Sequence, residues 1–199
     1  MFRLTLGQAQ VCIAEQPLAF DGLLSAFPHY GIEAEQRFAS AKRRREWLSV
    51  RVLLHEALGP DVRLVYDKTG KPRIEGAPLH VSVSHSGPYA AIALSPSPVG
   101  LDIELAAARA ERVKARFTTE AELRHLAPVD IWCAKEAVYK LFPLPSDTPL
   151  TAVRIDSPER AECLYQSARL YFSRHESLHL CVAEAACDDS NGTQMNKNP

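Results

Sequence analysis

The order of the predicted elements indicates an α+β fold made of two similar halves. Short strand-like segments follow one another between Val62 and Glu104, joined by Gly- and Pro-containing links that are typical of hairpins. The long helical patterns stand outside this run, whereas a parallel sheet needs a crossover between its strands. A second group of strands follows the last helical pattern. We therefore expect two pseudo-two-fold halves, each a helix packed on a mainly antiparallel sheet.

Each predicted element rests on a local pattern. Apolar and polar residues alternate over residues 2–14, which predicts a strand, and Leu18–Phe27 has a short helical pattern that Pro28 ends. The longest helical pattern runs from Glu33 to Leu58 and stops at Gly59 and Pro60. Further strands are predicted over 62–66, 79–84, 89–95 and 99–104, a helical region over 109–141, and three last strands over 151–156, 164–172 and 178–184.

These elements predict three regions along the chain. Residues 1–97 form an N-terminal half with a basic helix, and residues 98–187 form a C-terminal half that contains the candidate acidic residues. The tail 188–199 is polar throughout, so we expect it to be disordered.

Composition limits the classes of partner. The 199 residues include 23 Lys and Arg against 24 Asp and Glu, for a net charge of −1, which argues against a general nucleic-acid-binding role. Five scattered cysteines without a C-x-x-C pair indicate reduced thiols rather than disulfides or a zinc site. The first residues do not resemble a signal peptide, and no apolar run is long enough for a transmembrane helix. We expect a cytoplasmic protein without membrane or nucleic-acid partners.

The segment "VGLDIE" places two carboxylates on one strand. Residues two apart on a strand point to the same face, so Asp102 and Glu104 project together while Leu101 and Ile103 point to the core. Adjacent carboxylates repel one another unless a cation such as Mg²⁺ lies between them. Taken alone, such a pair of acids on a strand is more often a solvated face near a turn.

The segment "WCAKEAVYK" adds a carboxylate on a helix. Glu136 precedes Lys140 by four residues, the spacing of an ordinary surface salt bridge. Glu136 also follows the acidic strand at a distance that allows it to supply a third metal ligand. Either interpretation fits this segment alone.

Basic residues and histidines supply candidate phosphate ligands. The helix segment "KRRREW" and Arg51 form a dense cationic group that is either a solvated face or an anion site, and "GKPR" adds Lys71 and Arg73 in a turn. His85 ends a strand in "SVSHSG", whereas His175 and His179 fall where we expect an exposed loop entering a strand. No P-loop, G-x-G-x-x-G or G-x-S-x-G pattern is present in the sequence.

Taken in order, four segments resemble the 4′-phosphopantetheinyl transferase superfamily, especially its monomeric type that activates peptide synthetases and acyl carrier proteins. They are "GKP", "SVSHSG", "VGLDIE" and "WCAKEAVYK", and the similarity extends from about Arg37 to Leu150. The resemblance implies a monomer that transfers 4′-phosphopantetheine from coenzyme A, its co-substrate, to a serine of an apo acyl or peptidyl carrier protein. The reaction requires Mg²⁺ and releases 3′,5′-ADP.

The resemblance also implies a role for individual residues. Asp102, Glu104 and Glu136 would bind Mg²⁺, with Glu136 also helping to deprotonate the carrier serine, directly or through water. Lys140 would contact the phosphate and stabilise charge on the leaving group. The implied catalytic residues are Asp102, Glu136 and Lys140, and the implied coenzyme A ligands are Arg44, Arg45, Arg51, Lys71, Ser84, His85 and Lys140. Lys135 matches the motif without an assigned role.

Two other functions compete with this one. A non-catalytic relative would bind carrier proteins or coenzyme A without turnover, and an unrelated Mg²⁺ phosphohydrolase would release phosphate without a carrier. The segment between Glu104 and Trp132 is short for the monomeric type, and "LFPLPSDTPL" follows Lys140 where the family often has a Gly- and Lys-containing loop. Both departures bear mainly on carrier recognition.

Overall fold

The part of the chain that the structure describes contains two larger antiparallel sheets, a separate two-stranded hairpin and six α-helices. The structure is a computed structural model that describes residues 1–15, 20–105 and 107–186. Its strands are β1 (Phe2–Leu6), β2 (Ala9–Glu15), β3 (Arg63–Tyr66), β4 (Pro72–Glu75), β5 (His80–Ser86), β6 (Tyr89–Ser95), β7 (Val99–Glu104), β8 (Arg154–Ser157), β9 (Arg160–Cys163), β10 (Gln166–His175) and β11 (Leu178–Ala185). Its helices are α1 (Asp21–Ala26), α2 (His29–Arg37), α3 (Ala41–Leu58), α4 (Ala107–Val113), α5 (Glu120–Leu123) and α6 (Pro128–Leu141), with 3-10 turns at Lys114–Arg116 and Leu150–Ala152.

The strand order confirms the predicted α+β class. The first sheet has the order β1-β2-β6-β5, the second has the order β7-β11-β10-β9-β8, and β3 and β4 form a separate hairpin. All the strand pairs are antiparallel. Helix α3 packs on the first sheet and α6 packs on the second. The pseudo-two-fold relation between the halves and their boundary at residue 97 stay predictions.

A shared core lies between the two sheets. Apolar residues that point inward from β2 and β6 meet those from β7 and β11. On β7 these are Val99, Leu101 and Ile103, all at most 1% exposed. Because successive strand residues alternate in direction, the residues between them point to the opposite face, toward α6. This alternation places Asp102 and Glu104 beneath the helix.

Two helical predictions were too long. The pattern over Glu33–Leu58 is divided between α2 and α3, because Phe38 and Ser40 have extended backbones that end one helix and precede the next. The pattern over 109–141 is divided into α4, α5 and α6. Thr119 caps α5 through a reciprocal capping box with Glu122, and Pro128 begins α6 at a position where proline is tolerated. The hydrophobic periodicity of the sequence continues across these breaks and does not reveal them. The residues that cap or begin the helices mark the breaks instead.

The strand predictions missed two hairpin partners. The single strand expected over residues 2–14 is a hairpin whose turn contains Gly7 at a φ of 60°. The segment "GKPR", expected in a turn, continues into β4 from Pro72 onward. Strand β9 was also unforeseen. Leu18 and Ala19 of the first predicted helix, Cys187 and the predicted disordered tail 188–199 lie outside the described residues. None of the described helices combines the length and apolar character needed to span a membrane.

Candidate functional site

Two carboxylates on β7 form the base of the candidate site. Asp102 is 6% exposed and Glu104 is partly buried, and both lie on the face of β7 opposite the core residue Ile103. This confirms that "VGLDIE" aims its acids together. A carboxylate buried in this way needs hydrogen bonds or a cation to offset the loss of water.

Asp102 is held through only one of its oxygens. Its Oδ1 accepts hydrogen bonds from Lys140 Nζ and Ser84 Oγ, each at 2.8 Å. Its Oδ2 is buried and has no hydrogen-bond partner among the described residues. Buried polar atoms in folded proteins are normally paired, so an unpaired carboxylate oxygen beside other acids is typical of a ligand site.

Lys140 bridges α6 to the acidic strand. Besides Asp102, its Nζ donates to the carbonyl oxygen of Leu101 at 2.9 Å and to Ser84 Oγ at 3.2 Å. Its side chain is 30% exposed, so solvent still reaches the ammonium group. The spacing to Glu136 allowed an ion pair along the helix, but in the described part of the chain Lys140 pairs with Asp102.

Glu136 is the third carboxylate of the site. Burial and then the negative charge of Asp102 raise its pKa above the ordinary glutamate value, with a further contribution from Glu104, while Lys140 lowers it. Glu136 is therefore close enough to the strand carboxylates to be repelled by them. The sequence linked Glu136 to Asp102 and Glu104 by its position along the chain and by a family resemblance, and the structure places Glu136 within range of their charges.

Gly100 explains why the helix approaches this strand so closely. A Cβ atom at this position would lie 1.9 Å from the carbonyl oxygen of Ala137 and 2.9 Å from the backbone nitrogen of Leu141. Ala134 and Ala137 on the facing side of α6 are fully buried. Only glycine allows this contact, so the "VG" before the acids is part of what positions Glu136 and Lys140.

Lys135 has a different environment from its neighbour Glu136. It is 1% exposed, and its Nζ pairs with Glu122 at 2.8 Å. Glu122 also accepts hydrogen bonds from the backbone N–H groups of Thr119 and Ile155. Burial opposes ionisation of Glu122, yet its pKa is lowered because the bonds from Lys135 and these two N–H groups outweigh it. Lys135 therefore ties α6 to α5 and β8.

Lys71 and His85 connect other elements around the site. Lys71 Nζ donates to the carbonyl oxygen of Leu141 at 2.8 Å, at the end of α6 where a cation is favourable, and burial lowers its pKa. His85 Nε2 lies 3.5 Å from Glu46 Oε2 on α3. Lys71 thus joins the β3–β4 hairpin to the helix that bears Lys140.

The three candidate arginines have unlike surroundings. Arg45 is exposed, whereas Arg44 Nη1 donates to the carbonyl oxygens of Phe38 and Ala39 and secures the link between α2 and α3. Arg51 is 3% exposed, with its guanidinium 3.0 Å from the centre of the Trp47 ring. Burial lowers the pKa of Arg51 to about 10. Arg51 also lines a cavity of about 360 Å³ between α2, α3 and the β3–β4 hairpin, and none of the three acids lines that cavity.

Sequence reasoning missed two polar contacts. Ser86 Oγ donates to Glu104 Oε2 at 2.7 Å, although only its neighbours Ser84 and His85 were singled out. His179 is 7% exposed on β11, directly opposite Glu104, and its Nδ1 lies 2.7 Å from Asp130 Oδ1. The expectation of an exposed loop there was wrong, because the turn falls earlier, between β10 and β11. The serines at every second position of "SVSHS" were the sequence feature from which the role of Ser86 could have been predicted.

The site has acids but no preassembled metal cage. Among residues 1–15, 20–105 and 107–186, no group of three His, Cys, Asp or Glu side chains is arranged so that it could hold a metal ion. Lys140 supplies the positive charge at Asp102 Oδ1, and within the described residues Asp102 Oδ2 has no hydrogen-bond partner. Oxygen donors of this kind are what a hard divalent cation prefers.

Comparison with known proteins finds similarity to one enzyme family in this region. The model of the 4′-phosphopantetheinyl transferase superfamily matches residues 98–187. A protein of Salmonella typhi named 4′-phosphopantetheinyl transferase AcpT is 40% identical over 112 residues, which cover 49% of this chain and 58% of that protein. Its namesake in Salmonella typhimurium is 39% identical over the same coverage. The match therefore spans less than two thirds of these relatives.

The matched region contains β7, with Asp102 and Glu104, and the whole of α6, with Glu136 and Lys140. The carboxylates and the lysine that the structure brings together are thus within the part of the chain that carries the family pattern. Residues 98–187 match the model of the 4′-phosphopantetheinyl transferase superfamily, and the chain is similar to the two Salmonella proteins over 112 residues.

Proposed function

We propose that this protein transfers the 4′-phosphopantetheine group of coenzyme A to a serine of an apo acyl or peptidyl carrier protein. The observation that carries the proposal is the Asp102–Lys140 pair, with Glu136 beside it, inside the region that matches the superfamily. The two Salmonella relatives are named 4′-phosphopantetheinyl transferases. A cytoplasmic enzyme that acts on neither nucleic acid nor membranes agrees with the composition, and the family resemblance favours a monomer.

The chemistry of these donor atoms suits a magnesium ion, although the described residues are not preassembled around one. The unpaired Oδ2 of Asp102, together with the burial and neighbouring negative charges that raise the pKa of Glu136, supports a cation between the acids. Asp102, Glu104 and Glu136 would hold it. Bound Mg²⁺ would neutralise charge on the pyrophosphate oxygens of coenzyme A.

Glu136 acts as the proton acceptor for the carrier serine. Its raised pKa makes the carboxylate a better base than an exposed glutamate. The serine Oγ–H bond breaks and the proton moves to Glu136, directly or through one water. The serine oxygen then bonds to the phosphorus next to pantetheine, and the bridging P–O bond breaks to release 3′,5′-ADP.

Lys140 stabilises the charge that develops on the bridging oxygen. Its ammonium is held by Asp102, Ser84 and the Leu101 carbonyl, so it is oriented before the substrate arrives. Such preorganised charge is the main contribution a protein makes to phosphoryl transfer. The phosphates of coenzyme A would be bound by Lys71, Ser84, His85, Arg44, Arg45 and Arg51. Two of these residues contact α6: Lys71 through the Leu141 carbonyl and Ser84 through Lys140.

Intact-mass spectrometry tests the proposal directly. The purified protein is incubated with Mg²⁺, coenzyme A and a panel of apo acyl and peptidyl carrier proteins, with parallel samples containing a chelator. We expect at least one carrier to gain the mass of phosphopantetheine only when Mg²⁺ is present. Folded protein that binds coenzyme A but modifies no carrier would instead identify a non-catalytic relative, and phosphate release without a carrier would identify a hydrolase.

A further inference from the structure

Three serines of β5 point toward β7 at alternating positions. Ser82, Ser84 and Ser86 share one face of the strand, while Val81 and Val83 on the opposite face pack against α3. Strands β5 and β7 are the edge strands of their respective sheets. The serine face of β5 therefore lies where the two sheets meet.

Each of these serines accepts a hydrogen bond from the backbone of β7. The N–H groups of Leu101, Ile103 and Leu105 donate to Ser82, Ser84 and Ser86 at 2.9, 3.2 and 3.1 Å respectively. The hydroxyl groups thus accept the hydrogen bonds of backbone N–H groups along the edge of β7, which would otherwise need a neighbouring strand. The spacing of two residues on both strands fixes the register between them.

Two of the three serines also donate to an acid of the site. Ser84 Oγ donates to Asp102 Oδ1 at 2.8 Å, and Ser86 Oγ donates to Glu104 Oε2 at 2.7 Å. A hydroxyl has one hydrogen to donate. Since a backbone N–H already occupies a lone pair of each oxygen, that hydrogen has a defined direction. Ser82 has the same backbone contact but lies beside Gly100, which has no side chain.

We propose that Ser86 is a positioning residue that holds one oxygen of Glu104 and leaves the other directed at the cation. This inference rests on the proposed function, because it assigns Glu104 to the metal. Ser84 does the same for Asp102, but it also contacts Lys140. A substitution of Ser86 therefore tests the orientation of a single carboxylate, that of Glu104, without removing a contact to Lys140. Partners that orient metal ligands influence metal affinity strongly even though they do not touch the metal.

The test compares Ser86→Ala with Ser82→Ala as a matched control. Both substitutions remove a serine that accepts a β7 backbone N–H, but only Ser86→Ala removes a hydrogen bond to a carboxylate. Mn²⁺ serves as a paramagnetic probe and is titrated into the protein with coenzyme A and without a carrier, so binding is measured without turnover. Thermal unfolding of each variant is measured in parallel.

We expect Ser86→Ala to weaken Mn²⁺ binding about 10-fold, Ser82→Ala to leave it unchanged, and Ser86→Thr, which keeps the hydroxyl, to restore it. If wild-type protein transfers phosphopantetheine while Ser86→Ala binds Mn²⁺ as wild type does, this inference alone is overturned. If Ser82→Ala and Ser86→Ala lose affinity equally, the effect belongs to the strand register and the inference is also overturned. A wild-type chain that neither binds Mn²⁺ nor modifies a carrier overturns both this inference and the proposed function.

Discussion

Helix α6 carries two lysines that each pair with a carboxylate at 2.8 Å, yet their surroundings differ. The Lys135–Glu122 pair is closed, since its side chains are 1% and 3% exposed and Glu122 is further bonded by two backbone N–H groups. The Lys140–Asp102 pair is open. Lys140 is 30% exposed, and one oxygen of Asp102 has no partner in the described residues.

The comparison shows that an ion pair alone does not identify a functional site. Both pairs join a lysine to a carboxylate at the same distance. They differ because one oxygen of Asp102 lacks a partner in the described residues and because solvent reaches Lys140. The nearby glutamates differ in the same sense, because hydrogen bonds lower the pKa of Glu122 despite its burial, whereas burial and like charges raise the pKa of Glu136. A carboxylate whose pKa is raised by burial and by neighbouring negative charges is typical of a site that binds a ligand.

The largest effect should come from breaking the closed pair. Lys135→Met leaves Glu122 buried and ionised without its cation, and we expect the free energy of unfolding to fall by about 3–5 kcal/mol. Urea denaturation at neutral pH measures this loss. Because protonation removes the uncompensated charge, the deficit should shrink as the pH falls below the ordinary glutamate value of 4.5. A variant as stable as wild type would show that this pair is not structural.

Asp102→Asn should break the open pair at its acid. The amide keeps the shape of the side chain but loses the charge that pairs with Lys140 and attracts the cation, so we expect phosphopantetheine transfer to fall by about 100-fold. Initial rates of carrier modification measure the change, with circular dichroism to confirm folding. Transfer at the wild-type rate would remove Asp102 from the site.

Gly100→Ala should disturb the packing that holds the open pair. The added methyl would meet the Ala137 carbonyl, so α6 must shift, and we expect a loss of about 1–3 kcal/mol in unfolding free energy together with slower transfer. Gly22→Ala in α1 is the control, since an added Cβ there has no neighbouring atom within 4 Å. Equal effects from the two substitutions would contradict the close approach of α6 to β7.

The smallest effect concerns the pH dependence of stability. A carboxyl whose pKa is raised by folding favours the folded state only while it is protonated, so this contribution is lost as the pH rises through the folded-state pKa. Glu136→Gln should therefore unfold at a higher temperature than wild type at neutral pH, and the difference should vanish below the ordinary value of 4.5. A difference that stays constant with pH would mean that titration of Glu136 is not its cause.

The sequence predicts the acids better than the contacts around them. Alternation along "VGLDIE" was sufficient to aim Asp102 and Glu104 together, and the motif order was sufficient to join them with Glu136. The pairing of Lys140 with Asp102 and of Lys135 with Glu122 depends on where α6 and α5 pack in the tertiary structure. The spacing of residues along a helix does not predict that packing. The break between α2 and α3 at Phe38 was hidden by continuous periodicity, and Ser86 was hidden by the more conspicuous histidine beside it.

The most direct test of the contrast is Lys140→Met, which removes the ammonium of the open pair while keeping the length of the side chain. Transfer to an apo carrier and urea unfolding are measured on the same preparation. We expect transfer to fall by about 100-fold, with a loss of unfolding free energy smaller than that of Lys135→Met, because the lysine is partly exposed and Ser84 still donates a hydrogen bond to Asp102. Wild-type transfer, or a loss of stability as large as that of Lys135→Met, would contradict the assignment of the open pair to function.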